Sequence, residues 1–171
     1  MHEPSHSSEL PVDPTLVWGL SFARGYLELG MLDAAARELE KLPSRHVEHP
    51  DVMSLRSHIL LARQLWPKLI EHTRRAVALF PDEPEYYIHA ATAFDMLGLH
   101  EEGRKIWQAA PESVRSSGFF HLHVARFEAR LGNVVCARDH LARAIHLDPT
   151  LRSIARRDPN LAQVLSELLK N

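Results

Sequence analysis

Residues 84–117, PEYYIHAATAFDMLGLHEEGRKIWQAAPESVRSS, and residues 118–151, GFFHLHVARFEARLGNVVCARDHLARAIHLDPTL, align without a gap at a separation of 34 residues. Gly98 falls on Gly132, Ala91 on Ala125, Trp107 on Leu141 and Ala110 on Ala144. Apolar residues in both stretches recur at intervals of three and four, the spacing of a helix face, and no run alternates as a strand would. Each stretch therefore predicts two helices joined at its glycine, which readily takes the left-handed conformation that ends a helix.

Carried toward the N-terminus, the same frame gives 16–49 and 50–83, so that Gly30, Gln64, Gly98 and Gly132 share slot 15 of four units. The chain has only seven glycines, so three in one phase carry weight. Slot 8 holds Ala23, Ser57, Ala91 and Ala125, and slot 20 holds Ala35, Leu69, Gly103 and Ala137. Slot 24 holds Leu39, Thr73, Trp107 and Leu141, and slot 27 holds Leu42, Ala76, Ala110 and Ala144. Antiparallel helices that cross closely need small side chains at the contact, which slots 8 and 20 supply, and larger ones around it. The second unit departs most, with Gln64 for Gly, Leu69 for Ala and Thr73 for a large residue. The fourth has Glu128 at slot 11, where Tyr26 and Phe94 stand in the first and third, and the neighbouring Phe127 is expected to fill that space.

This pattern resembles the tetratricopeptide repeat (TPR), with a small residue at slot 8, Tyr at 11, Ala at 20, a large apolar residue at 24 and Pro at 32, the last met by Pro81 and Pro149. The resemblance covers 16–151 and implies an all-α, right-handed superhelical solenoid of antiparallel helix pairs. Local signals predict the first pair over Pro14–Leu29 and Leu32–Leu42, stopped by Pro43. Pro50, Pro67 and Pro84 suit first helical turns, where a missing N–H is harmless, and Asp148-Pro149 ends a helix. Residues 1–14 are expected to be a flexible tail. Residues 152–171 are expected to cap the array through a helix over 159–170, started by Asp158 and Pro159. Its stripe of Leu161, Val164, Leu165, Leu168 and Leu169 would cover the last apolar face, or else serve dimerisation. The segment Ala155–Leu161 resembles the tail after the last repeat of many small bacterial TPR proteins.

The resemblance further implies that the first helix of each pair lines a concave groove through slots 2, 5, 9, 12 and 13. Projected onto this chain, those slots nominate Arg24, His58, Leu61, Ile88, Thr92, Leu122, Arg126 and Arg130 as a peptide-binding groove. Apolar residues would anchor a helix or extended peptide there, and the arginines would orient its carboxylates. The Asn-based clamp by which some TPR proteins hold chaperone tails is missing, since slot 9 reads Arg24, His58, Thr92 and Arg126. A secretion-type chaperone of the same fold is an alternative suggested by size alone.

Composition bounds the remaining classes. The 171 residues carry a net charge of −2, which gives no overall basic field for nucleic acid or an anionic membrane. The lone Cys136 allows no internal disulfide, and no apolar run has the length of a membrane span, so a cytoplasmic location is expected. No phosphate loop, nucleophile elbow or metalloprotease motif is present, so the expectation is a non-catalytic adaptor without cofactor, bound to another protein or peptide, with a homodimer as a further option. Twelve histidines leave a self-associating or metal-binding role as an alternative of another class. His121 and His123 are two apart and point away from each other on a helix, whereas Cys136 and His140 share a face. Protonation of the histidines between pH 7 and about 5.5 would make the chain cationic and strengthen binding to acidic partners.

Overall fold

The computed structural model describes residues 13–169, which form helices joined by short turns, with no strand among them. The chain divides into two compact units, Met1–Arg63 and Gln64–Asn171.

The first unit contains α1 (Pro14–Glu28), α2 (Leu32–Glu40), a 3₁₀ turn (Ser44–His46) and α3 (Pro50–Ala62). Asp13 starts α1 by accepting the Thr15 N–H at 2.9 Å. The same carboxylate receives Arg45 Nη2 at 2.6 Å and contacts His46 Nε2 at 2.8 Å, tying the helix start to the 3₁₀ turn. The Arg45 and His46 hydrogen bonds hold the Asp13 carboxyl well below the usual range. Asp13 and Pro14 are thus built into the fold, whereas the rest of the expected tail, residues 1–12, lies outside the described residues. Leu16, Ala23, Ala35, Leu39, Leu42, Val52, Leu55 and Ile59 form the core of this unit.

The second unit begins with α4 (Trp66–Leu79), α5 (Pro84–Met96), α6 (His100–Ala109), the short α7 (Glu112–Arg115), α8 (Gly118–Arg130) and α9 (Val134–Leu147). Consecutive helices α4 and α5, α5 and α6, and α8 and α9 pack on one another. The small residues Ala91 and Ala125 at the crossings are fully buried, as are Ala137 and Ala144. Thr73, read as a misfit, is buried too, because its hydroxyl donates to the Leu69 carbonyl at 2.8 Å and no polar group is left bare. Phe127 fills the space at slot 11 as expected: its ring lies 3.0 Å from where a Cβ on Gly103 would stand and packs edge-on to Trp107.

All four slot-15 residues have positive φ: Gly30 at 71°, Gln64 at 56°, Gly98 at 74° and Gly132 at 78°. At the three glycines the next N–H reaches back over the helix end, as Met31 does to the Tyr26 carbonyl at 2.8 Å and Leu99 to the Phe94 carbonyl at 2.9 Å. Gln64 meets the same demand with a side chain that resists it, at a cost of roughly 1–2 kcal/mol. Gln64→Gly is therefore expected to stabilise the protein by about 0.5–1 kcal/mol after the added freedom of the unfolded chain is deducted. A higher urea midpoint at unchanged slope would register this.

The C-terminal segment differs from the single helix expected over 159–170. It forms two helices, α10 (Leu151–Arg157) and α11 (Ala162–Leu168), and residue 170 lies outside the described residues. Asp158 does not cap α11. Its Oδ1 accepts the Asn160 N–H at 2.9 Å and its carbonyl accepts the Leu161 N–H at 3.0 Å, closing a turn that holds Pro159. Leu161, Val164 and Leu165 are buried against Leu122, Ala137, Leu141 and Leu151, while Leu169 is exposed.

Candidate functional site

The eight nominated groove residues divide between the units. In the first, Arg24 is exposed and lines a cavity of about 430 Å³ with Val17, Leu20 and Glu28, all on α1. His58 is also exposed, with Nδ1 3.0 Å from the Ser54 carbonyl, and Leu61 is half-buried.

In the second unit, α5 and α8, which carry the other residues, pack on one another. Ile88 and Thr92 stand one turn apart on α5, half-buried, with the Thr92 hydroxyl donating to the Ile88 carbonyl at 2.8 Å. Arg126 and Arg130 are likewise one turn apart on α8 and so share a face. On the same two helices Met96 of α5 and Phe119 of α8 are 45% and 49% exposed, large apolar side chains left open to solvent. Leu122 is not presented with them: at 1% exposure it belongs to the core under α10 and α11, a correction to its place as an anchor.

Both arginines of α8 are held from below. Arg130 Nη1 lies 2.7 Å from Asp95 of α5, and Arg126 Nε donates to Asp158. The carboxylates are buried, at 5% and 9% side-chain exposure, whereas Arg130 and Arg126 remain 41% and 32% exposed. Burial works to raise the Asp158 carboxyl, but the Arg126 hydrogen bond and the Asn160 N–H outweigh it and hold it below the usual range. His100 Nδ1 also reaches Asp95, at 3.0 Å. The result is a pair of oriented guanidinium groups whose outer edges face solvent.

Three histidines of this unit do not follow the titration expected from composition. His123, pressed against Arg126, is pushed down to about 4 by burial and then by that cation. His121 and His140 are also lowered, chiefly by burial. The charge gained on mild acidification is correspondingly smaller.

A second polar cluster was not foreseen. Arg104 of α6 grips Glu128 of α8 through Nε at 2.9 Å and Nη2 at 3.0 Å, and Asn133 Nδ2 donates to the same carboxylate at 2.7 Å. The signal was present: a charge at slot 11, where an aromatic belongs, requires a partner once buried. Glu128 is 5% exposed. Next to it a cavity of about 260 Å³ is lined by Trp107, Phe120, His121, Cys136 and His140.

No family model matches the chain, and no curated protein matches it. Solved structures do. A structure of MamA MSR-1 C2 superposes with a TM-score of 0.60 at 18% identity, over 77% of this chain and 76% of that one. The crystal structure of a thermophilic TPR protein from Thermus thermophilus superposes with a TM-score of 0.69 at 16% identity, over 95% of this chain and 84% of that one. With its recurrent helix pairs, small residues at the crossings and left-handed helix ends in one phase, the chain has a TPR-like fold of helical repeats.

Proposed function

We propose that the protein is a non-catalytic protein-binding scaffold that takes an acidic helix or extended peptide on the α5–α8 face. The observation that carries this reading is the pair Arg126 and Arg130, partly exposed and each fixed by a buried carboxylate, on α8 and against α5, the helices that also expose Phe119 and Met96. Cations already held in place lose little freedom when a partner's carboxylate arrives, and open apolar side chains on the same helices supply contact area. Ile88 and Thr92, half-buried on α5, would contribute to the same face. Arg24, His58 and Leu61 offer a further contact region on the first unit.

Affinity capture from source cells with the intact chain, beside a Met96→Ala/Phe119→Ala variant, tests the proposal. Neither side chain is buried, so the variant should keep its circular dichroism and melting temperature. The expected result is a partner retained by the native chain and depleted at least tenfold by the variant. Equal retention by both would remove the α5–α8 face from the reading.

A further inference from the structure

Helix α1 carries a second apolar face that the core of its unit does not use. Leu16 and Ala23 are buried in that core with Leu20 and Leu27 packed beside them. On the opposite side Trp18, Phe22, Gly25 and Leu29 recur at i, i+4, i+7 and i+11. At 3.6 residues per turn these four fall within about 60° of one another, along a line with no ionisable side chain. Trp18 is 62% exposed, Phe22 53% and Leu29 75%, and Val17 and Met31 at the edges are 46% and 50% exposed. The Trp18 and Phe22 rings stack with centroids 6.0 Å apart and planes at 25°, which makes one apolar slab of two side chains.

Gly25 is an independent sign of an outside contact. Inside a helix glycine is less favourable than every residue but proline, and the unit itself supplies no reason for one here. A Cβ at Gly25 would meet nothing within 4 Å, whereas one at Gly19 of the same helix would strike the Leu42 side chain at 2.5 Å. A gap in the middle of an exposed apolar line suits the close approach of another chain. The order of the line selects that chain. Turned end for end, Trp18 falls on Leu29 and Phe22 on Gly25, because both pairs are centred between Ala23 and Arg24. A second α1 running antiparallel therefore sets its Phe22 ring over Gly25 and receives the other Phe22 in return, the self-complementary fit that a two-fold axis requires.

We propose that α1 is a homodimerisation surface, on which two copies of this chain pair antiparallel through Trp18, Phe22, Gly25 and Leu29. With roughly 200 Å² as the full surface of a large apolar side chain, the three large residues of the line with Val17 and Met31 expose about 550 Å² per chain. Two copies then bury about 1,100 Å², just above the 1,000 Å² or so that a specific interface needs, so the dimer is a weak one. A net charge of −2 per chain opposes it little. The surface belongs to the Met1–Arg63 unit and stands or falls separately from the α5–α8 face.

Sedimentation velocity of the full chain over about 1–200 µM, the range suited to an interface of this area, tests the proposal. A thiol reductant keeps the exposed Cys136 from linking chains by itself. The native chain is expected to pass from monomer to dimer as concentration rises. Phe22→Glu should remain monomeric throughout with unchanged circular dichroism, since Phe22 is not part of the core. Gly25→Ala should move two readouts in opposite directions: a higher melting temperature at concentrations where the chain is monomeric, and dimerisation at least fivefold weaker. A native chain that is monomeric throughout overturns the proposal, as does a Phe22→Glu chain that dimerises, or a Gly25→Ala chain that dimerises as tightly as the native one. A monomeric chain held by a different protein through Trp18 and Phe22 overturns it equally, because the occupant of the line is then not a second copy.

Discussion

A chain ending at Asn160 is expected to lose the cooperative fold of the Gln64–Asn171 unit. Removal of α11 takes away Leu161, Val164 and Leu165, which are 0%, 4% and 3% exposed. Burying side chains of this kind stabilises by about 1.5–3 kcal/mol each, so the three together amount to roughly 4.5–9 kcal/mol. Whole domains are stable by only about 5–15 kcal/mol, and the loss is therefore comparable to everything the unit has. The damage extends to what α11 covered: Leu122, Ala137 and Leu141, all buried in the intact chain, would face water. Thermal unfolding followed by circular dichroism should lose its sharp transition, with dye binding to newly exposed apolar surface. A truncated chain that still melts within a few degrees of the intact one would show that this helix lies on the unit without supporting it.

Arg104→Ala carries the next largest expected effect. The Glu128 carboxylate would stay buried with Asn133 as its remaining donor, and a buried charge that loses its partner costs about 3–5 kcal/mol. Arg104 is itself 28% exposed, so water can enter behind the truncated side chain, which brings the expectation to roughly 2–3 kcal/mol. The double variant Arg104→Met/Glu128→Leu should recover most of that loss, because apolar groups of similar size need no partner. Denaturant unfolding of Arg104→Met, Glu128→Leu and the double forms the required cycle. A double variant as unstable as the two singles added together would mean that the groups act independently.

The contrast between what the sequence revealed and what it concealed follows from the range of the interactions. Gly30, Gly98 and Gly132 were legible because each answers a local demand, a left-handed helix end, that few residue types satisfy. Ala91, Ala125 and Ala137 were legible for a similar reason, since a close helix crossing admits little else. The partners of charged residues were not, because they depend on which helices become neighbours. Asp158 has the look of a helix cap, yet its carboxylate is taken by Arg126 from 32 residues away. Leu122 fell on a slot expected to face a groove, but the C-terminal helices cover it. His121 was weighed against His123, its neighbour in sequence, while its contact is His140 on the next helix. Within the candidate site, residue types and helix faces could be read, but the carboxylates that fix Arg126 and Arg130 could not.

Binding of an acidic partner on the α5–α8 face is tested by the dissociation constant of a captured partner for the native chain beside Met96→Ala/Phe119→Ala and Arg130→Ala variants of verified fold. At least tenfold weaker binding by each, with the Arg130→Ala difference shrinking as salt is raised, is the predicted result. Identical constants for all three proteins would contradict it.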